Sequence, residues 1–235
     1  MGNSNKNNKI VGDSITSDNA NWTFGGDVAK HFDNHVQKSV PFYDEGHDLV
    51  AKVSDFYLSD GSICYELGCS TAKLSQLIAK RHVDKNIKII GIDIEKNMVL
   101  EAKKNCKDIR NIQVVNKDLL EVVYQDSDLM ISYYTIQFIH PKLRQTLIDR
   151  IYESLNWGGA FLLFEKVRAS DARFQDIMTA LYTDYKIDQG YTSNEIIAKY
   201  RSLKGVLEPF SSQGNIDILL RAGFTDIMTI YKYTC

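Results

Sequence analysis

Short apolar runs alternate with amphipathic segments along this chain, and no other sequence feature limits the possible folds as strongly. Residues 87–92 form a nearly continuous apolar run, typical of a strand buried on both faces. Residues 72–81 and 96–106 flank it with apolar side chains at helical spacing. Strands alternating with helices predict a doubly wound α/β fold, a parallel sheet with helices on both faces. Its strand-to-helix loops should meet at one edge of the sheet, where ligands bind.

The other elements follow from the same patterns. We predict further helices over 27–38, 43–57, 142–155 and 216–221, and further strands over 62–67, 112–115, 129–133, 160–164 and 226–231. Trp157-Gly158-Gly159 is predicted to end the helix that starts after Pro141. Residues 170–204 read as two helices with no strand between them, which indicates a helical insertion before the last strand.

Length and composition place the chain among ordinary globular proteins. Its 235 residues suit one domain, predicted over 21–235, and the polar residues 1–20 are predicted to be a flexible tail. There is no signal-peptide pattern and no apolar run of the roughly 20 residues that span a membrane, so we expect a cytoplasmic protein. A net charge of −2 argues against direct binding of nucleic acid. The cysteines form no C-x-x-C pair, and His31 and His35 lack a third ligand, so no metal site is predicted.

The first candidate site is the turn Glu66-Leu67-Gly68-Cys69-Ser70 between the first strand of the alternating pattern and its helix. Gly68 allows a tight bend and close approach of a ligand to the backbone. The helix that follows offers free N–H groups. This turn is not a full glycine-rich fingerprint, and it could equally connect strand and helix without binding anything.

Two acidic residues follow the next strands of the pattern. Asp93 lies where an acidic side chain accepts hydrogen bonds from ribose hydroxyls, and with Gly68 it predicts a nucleoside pocket. Asp93 could instead cap the next helix. Asp118 follows a further strand and could hold an adenine amino group or act as a plain turn residue.

These motifs, in this order, resemble the class I S-adenosylmethionine-dependent methyltransferases, whose fold is Rossmann-like. More narrowly, the chain resembles the carboxy-S-adenosylmethionine synthase family, from Trp22 nearly to the end of the chain. The resemblance extends beyond the cofactor motifs, to residues before the first strand and within 170–204. The stretches that carry it include Ser39-Val40-Pro41, Gly91-Ile92-Asp93, Gly158-Gly159-Ala160, Asp184-Tyr185-Lys186 and Gly190-Tyr191.

The resemblance implies a role for each matching residue. The methionine moiety of the cofactor would lie against Gly68, Cys69 and Ser70, with Glu66 also in the binding set. The ribose would be held by Asp93 and Ile94, and the adenine by Asp118 and Leu119. Tyr43 would contact the cofactor from an N-terminal helix. Arg201 would pair with the carboxylate of carboxy-S-adenosylmethionine, because a guanidinium binds a carboxylate through two hydrogen bonds.

One departure lies beside the expected sulfonium, where the family has Asn and this chain has Tyr133. In a methyl-transfer reaction Tyr133, Tyr134 or His140 could orient the acceptor or take its proton. The candidate catalytic residues are therefore Arg201, Tyr133 and Tyr134.

The resemblance implies prephenate-dependent carboxylation of S-adenosylmethionine, in the pathway that modifies the wobble uridine of tRNA. A methyltransferase acting on another small molecule is the alternative, and a cofactor-binding subunit without catalysis is a third reading. The expected ligands are S-adenosylmethionine, carboxy-S-adenosylmethionine or S-adenosylhomocysteine. The expected partners are a small-molecule substrate and, by resemblance only, a second copy of the chain bound through residues 170–204.

Overall fold

The computed structural model describes residues 9–13, 15–25 and 28–234. A two-stranded antiparallel hairpin, β1 (Lys9–Ile10) and β2 (Thr16–Ser17), opens it. A parallel sheet follows, with strands β3 (Ile63–Leu67), β4 (Lys88–Asp93), β5 (Ile112–Asn116), β6 (Ser127–Tyr133) and β7 (Leu155–Phe164). Their order in space is β5-β4-β3-β6-β7, so the direction in which strands are added reverses between β3 and β6. Ligands of open α/β sheets bind at that reversal.

Eight α-helices accompany these strands in the described part of the chain. They are α1 (Val28–Ser39), α2 (Tyr43–Val53), α3 (Lys73–Arg81), α4 (Lys96–Asn105), α5 (Pro141–Glu153), α6 (Ala172–Asp188), α7 (Ser193–Ser202) and α8 (Ser212–Ala222). The predicted start of the first helix, Asp27, lies outside the described residues. The predicted helix 43–57 ends as an α-helix at Val53 and continues as a 3₁₀ turn over Ser54–Phe56. The two helices predicted within 170–204 are confirmed as α6 and α7.

Alternating side chains of the strands enter two separate cores. Cys64 of β3 packs in one cluster with residues of α2 and α3, such as Val50 and Leu74. Its neighbour Tyr65 packs in the other cluster with residues of α5, such as Leu147. Helices therefore cover both faces of the sheet, and the predicted doubly wound α/β fold is confirmed.

The tail predicted for residues 1–20 is wrong for the residues of it that the structure describes. Val11 and Ile15 are buried in a cluster with Trp22 and Ala198. The backbone N–H of Ala20 donates a hydrogen bond to the carbonyl of Arg201, at 2.9 Å. The prediction rests on the mean composition of residues 1–20, which is polar. That mean conceals the two apolar side chains by which the hairpin packs against the rest of the protein. Residues 1–8 and Ser14 lie outside the described residues.

Two further predictions about secondary structure also fail. The predicted strand 226–231 is absent, since residues 224–234 form neither helix nor strand. The ring of Tyr231 instead stacks near that of Phe164, with centroids 6.4 Å apart. Trp157-Gly158-Gly159 does not end α5, which stops at Glu153. These three residues lie inside β7, where Gly158 has a φ of +82° and the register against β6 shifts. A glycine pair that marks a helix end also suits such an irregularity in a strand.

No helix within the described ranges is both long and apolar enough to cross a membrane.

Candidate functional site

A cavity of about 1780 Å³ opens at the carboxyl ends of the parallel strands. The loops that follow these strands, together with α1, α2, α6 and α7, contribute to its wall. All but one of the predicted site residues line it: Tyr43, Glu66, Gly68, Cys69, Ser70, Asp93, Ile94, Asp118, Leu119, Tyr133 and Tyr134. The exception is Arg201.

The turn after β3 is held tightly against the neighbouring strand. The backbone N–H groups of Gly68 and Cys69 both donate to the carbonyl of Ile92, at 2.8 and 2.9 Å. Gly68 has a φ of +79°, and a Cβ built there would lie 2.3 Å from Oγ1 of Thr135. Only glycine fits both the backbone conformation and the space. The bend therefore leaves the backbone bare where it faces the cavity.

Asp93 joins two loops of the cavity wall. Its Oδ2 accepts a hydrogen bond from the backbone N–H of Ser70 at 2.8 Å, and its Oδ1 accepts one from Glu95 at 2.9 Å. Burial raises the pKa of this carboxyl, and the two hydrogen bonds act in the opposite direction. Each carboxylate oxygen can accept a second hydrogen bond. Asp93 can thus fix the β3 loop against the β4 loop and still receive the hydroxyl groups of a ribose.

Glu66 and Cys69 shape the wall from behind the turn. Glu66 is buried and accepts hydrogen bonds from both the backbone N–H and the hydroxyl of Ser75. Burial raises its pKa to about 8. Burial also raises the pKa of the Cys69 thiol well above its ordinary value, so this thiol stays neutral. Glu66 anchors the start of α3, and neither side chain supplies a nucleophile.

The loop after β5 offers a polar and an apolar group side by side. Oδ1 of Asp118 accepts a hydrogen bond from the backbone N–H of Leu120 at 2.9 Å. Leu119 is buried, whereas Ile94, which also lines the cavity, is 63% exposed. A flat heterocycle with an amino group fits between such walls. With the bare bend at Gly68 and the carboxylate of Asp93, these residues fit a nucleoside-containing cofactor.

Tyr133 occupies an aromatic cluster at the end of β6. Its hydroxyl donates to the backbone carbonyl of Tyr43 at 2.8 Å, and its ring centroid lies 4.5 Å from that of His47. A Cβ on Gly46 would collide with this hydroxyl, so α2 can approach only through a glycine. Burial raises the pKa of Tyr133 well above its ordinary value. The phenol is therefore a neutral anchor for α2 and an unsuitable proton acceptor. Sequence reasoning missed His47, although it lies one helical turn after Tyr43.

Tyr134 continues the cluster from a strained backbone position. It has a φ of +58°, which is uncommon outside glycine and costs about 1–2 kcal/mol. Its ring lies 6.4 Å from the ring of Tyr43, nearly parallel to it. Burial raises the pKa of this phenol too. Tyr134 therefore presents a neutral aromatic face to the cavity.

Arg201 lies on α7 with its side chain exposed, and it is not part of the cavity wall. The cationic side chains that do line the cavity include Lys186 and Lys199, which sequence reasoning did not select. The available signals were the matching stretch Asp184-Tyr185-Lys186 and the position of both lysines among the tyrosines of the 170–204 segment, and neither shows where a helix points.

Glu165 follows β7 and also lines the cavity. Its Oε1 is shielded from solvent and has no hydrogen-bond partner among the described residues. Burial raises its pKa to about 8, while Arg144 and the backbone N–H groups of Ile136 and Gln137 act to lower it. Glu165 is therefore largely protonated at neutral pH.

We expect Glu165→Gln to stabilise the protein at pH 9 and to change little at pH 5. A carboxyl whose pKa is raised on folding contributes stability below its unfolded pKa, and that stability is lost as pH rises through the folded value. Glutamine cannot ionise, so the variant should gain on the order of 1–3 kcal/mol over wild type at pH 9. Denaturant unfolding at both pH values measures this. Glu66 titrates in the same pH range in both proteins, so its contribution cancels from the difference in their unfolding free energies. Equal stability of the two proteins at pH 9 would contradict the protonated Glu165.

Comparison with known proteins adds an independent line of observation. Residues 65–159 match a family model described as a methyltransferase domain. The carboxy-S-adenosyl-L-methionine synthase of Sulfurimonas denitrificans is 36% identical over 217 residues, which cover 90% of each chain. The synthase of the same name from Staphylococcus epidermidis is 36% identical over 213 residues, 90% of this chain and 92% of that one.

Solved structures agree on the fold. A putative S-adenosyl-L-methionine-dependent methyltransferase from Methanococcus maripaludis superposes with a TM-score of 0.57 at 20% identity, covering 87% of each chain. A cyclopropane synthase from Mycobacterium tuberculosis superposes with a TM-score of 0.58 at 14% identity, covering 77% of this chain and 60% of that one. At these identities the likeness concerns the fold alone.

Proposed function

Because the chain belongs to the carboxy-S-adenosyl-L-methionine synthase family, we propose that it carboxylates S-adenosylmethionine, with prephenate as the second substrate. The match with the curated relatives carries this proposal. It covers 90% of the chain, and the remaining tenth is shorter than the 170–204 segment. The likeness must therefore extend into that segment, beyond the motifs that all methyltransferases of this fold share.

The chain is an S-adenosylmethionine-dependent transferase, and its own residues suit that cofactor. When bound, the cofactor supplies a one-carbon group on a sulfonium whose positive charge acidifies the attached methyl. Gly68 and Ser70 would hold the methionine end, and Asp93 the ribose. Leu119 would cover the adenine, and Asp118 would accept from its amino group. The aromatic rings of Tyr43 and Tyr134 would exclude water from the reacting carbon.

The chain's own groups limit how the proton is removed. Tyr133 and Tyr134 are neutral phenols with raised pKa values, and Glu165 is also held in its neutral form. None of them is a ready base at neutral pH. The proposed reaction takes its base from the second substrate. As prephenate loses carbon dioxide and expels its ring hydroxyl as hydroxide to become phenylpyruvate, the hydroxide would remove one methyl proton to form water, and the resulting carbanion would add the carbon dioxide. The protein then has to position both molecules and keep water out.

Pathway, location and assembly extend the proposal. We place the product in the modification of the tRNA wobble uridine and the protein in the cytoplasm. We also propose that two copies pair through the 170–204 segment. Apolar side chains exposed on α6 and α7 support this pairing: Phe174, Ile177, Leu181, Ile197 and Tyr200. Arg201 is exposed on the same segment.

Methyl transfer to another small molecule is the second candidate. Two observations favour it: Tyr133 fills the end of β6 with a ring, and Arg201 does not line the cavity of its own chain. The cationic side chain that the resemblance assigns to the new carboxylate is thus missing from that wall.

Mass spectrometry of the small molecule that co-purifies with the protein distinguishes the two candidates. We expect a species heavier than S-adenosylmethionine by one carboxyl group, and formation of that species when S-adenosylmethionine and prephenate are supplied. Because pairing through residues 170–204 would bring Arg201 to the cavity of the second copy, Arg201→Ala should reduce retention of that species, whereas Arg173→Ala, at an exposed position on α6, should not. Absence of carboxylated product from a folded, cofactor-binding protein given prephenate would overturn the carboxylation proposal and leave methyl transfer.

A further inference from the structure

Two lysines of the helical segment 170–204 are buried in the wall of the cavity. Lys186 of α6 is 5% exposed and Lys199 of α7 is 9% exposed. Both line the cavity, as do His35 and Ser39 of α1. Lysine is almost never buried to this degree unless it is paired.

The polar contacts of these two lysines are with neutral groups. Nζ of Lys199 lies 2.7 Å from Nε2 of His35 and 3.0 Å from the centroid of the Trp22 ring. Nζ of Lys186 donates to the hydroxyl of Ser39 at 3.4 Å and lies 4.9 Å from the centroid of the Tyr191 ring. Imidazole, hydroxyl and π faces stabilise an ammonium group only in part.

Asp13, in the hairpin turn, is the carboxylate that acts to raise the pKa of both lysines, but other donors already occupy it. Its carboxylate accepts from Nδ1 of His35 at 2.7 Å, from Nζ of Lys38 at 2.9 Å and from the Tyr191 hydroxyl at 2.7 Å. Since Nδ1 of His35 donates to Asp13, Nε2 is left to accept from Lys199. No carboxylate of the described residues lies within 4.0 Å of Nζ of Lys186 or Lys199.

The lack of a carboxylate next to either lysine has an energetic consequence. Burial lowers the pKa of Lys186 to about 8, with Lys166 adding repulsion. Burial also lowers the pKa of Lys199 well below its ordinary value, with Lys186 adding repulsion. A buried charge without an opposite charge costs several kcal/mol, and an incoming anion would supply the missing partner.

The surroundings indicate what kind of anion fits. Trp22, Phe24 and Phe138 line the same cavity, and the Phe24 and Phe138 rings pack edge to face with centroids 4.8 Å apart. An apolar aromatic wall beside two ammonium groups suits an organic acid with a ring-sized apolar body.

We propose that Lys186 and Lys199 form the carboxylate-binding subsite for the second substrate, an organic acid with an apolar ring. This inference rests on the proposed function for the identity of the acid, and on the buried lysines for the subsite itself. The sheet loops would then hold the nucleoside, and α1, α6 and α7, together with Phe138 of the loop after β6, would hold the acid.

Calorimetry on the protein saturated with S-adenosylhomocysteine tests the subsite with two probes, prephenate and the unreactive aromatic dicarboxylate phenylsuccinate. Lys186→Met and Lys199→Met should each weaken acid binding at least tenfold and leave the Kd for S-adenosylhomocysteine within twofold of wild type. Lys103→Met, at an exposed position on α4, is the control for losing a lysine. Lys186→Arg should restore most of the binding.

Asp13→Asn separates electrostatics from disruption of the fold. It disturbs the same cluster but removes a negative charge that would repel the acid. Because Asp13 also raises the pKa of both lysines, the comparison is made at pH 6, well below the pKa of Lys186, where the variant should bind the acids at least as tightly as wild type. Because this variant keeps both lysines, it also tests the proposal if a methionine variant does not fold. Weaker acid binding by Asp13→Asn would overturn an electrostatic role.

The remaining outcomes separate the subsite from the proposed function. If wild type binds prephenate and folded methionine variants bind it equally well, the subsite is overturned and the function stands. If wild type ignores prephenate but binds phenylsuccinate through the lysines, the subsite stands and the identity of the acid is wrong. If wild type binds neither acid, the subsite is overturned.

Discussion

Replacing Gly68 by alanine is expected to abolish binding of S-adenosylmethionine. The new Cβ would lie 2.3 Å from Oγ1 and 2.4 Å from Cγ2 of Thr135, and the backbone at φ +79° disfavours any side chain. The turn must shift to relieve this overlap, and it carries the N–H groups bonded to Ile92. We expect the Kd for S-adenosylhomocysteine to rise at least a hundredfold by calorimetry.

Gly61→Ala is a matched control for this prediction. Gly61 has a φ of +86°, but nothing lies within 4 Å of a Cβ built there. It should therefore show only the cost of the left-handed backbone, about 1–2 kcal/mol of stability, with unchanged cofactor affinity. Adding Thr135→Gly to Gly68→Ala should recover part of the binding, because it removes the colliding atoms. Equal losses of cofactor affinity in Gly68→Ala and Gly61→Ala would show that backbone strain, and not the overlap with Thr135, controls the site.

Asp93→Ala should cause the second large loss. The substitution removes the proposed acceptor for ribose hydroxyls and leaves the N–H groups of Ser70 and Glu95 without their partner. Hydrogen bonds to a charged group contribute about 1.5–3 kcal/mol each, so two lost ribose contacts predict a rise in Kd of a hundredfold or more. Calorimetry with S-adenosylhomocysteine measures the affinity, and thermal unfolding measures the loss of stability.

Asp128→Ala provides the comparison from the opposite end of the sheet. Asp128 also serves as a double acceptor, for the N–H of Ile63 at 2.9 Å and for the amide of Asn156 at 2.9 Å. It does not line the cavity. Its loss should lower stability by about 1–2 kcal/mol without changing cofactor affinity. Equal affinity losses in both alanine variants would mean that Asp93 acts only through the fold.

The cofactor half of the site was predictable because its chemistry is local. Gly68, Asp93 and Asp118 each lie at or within two residues of the carboxyl end of a strand, and parallel strands bring these ends to one edge. Once the alternating pattern predicts the sheet, the positions of these residues follow. The ring of Tyr133 was also expected in the cavity, but its hydrogen bond to the carbonyl of Tyr43 depends on how α2 packs.

The other half was not predictable, because it depends on how helices are oriented in three dimensions. Arg201 and Lys199 are two residues apart on α7, yet one is exposed and the other is buried in the cavity wall. A rotation of the helix would exchange them, and helical spacing alone does not fix that rotation. The hairpin was missed for a related reason, since Asp13 finds its partners on α1 and in Tyr191, far along the chain.

The failed strand at 226–231 shows the limit of local propensity. Its β-branched and aromatic residues suit a strand. In the structure, however, Tyr231 lies beside Phe164 without forming a ladder, and β7 remains the edge of the described sheet. Pairing partners decide whether an apolar segment becomes a strand, and they are not visible in the segment itself.

The two tryptophans of the chain occupy opposite extremes of environment. Trp157 is entirely solvent-exposed, whereas Trp22 is 5% exposed and stacks on His35 beneath the ammonium group of Lys199. Their fluorescence is consequently separable, since a soluble quencher such as acrylamide reaches only the exposed indole. Removing Trp157 by substitution with Phe would leave a single tryptophan, Trp22, whose emission reports on the Lys199 side chain above it without any added label.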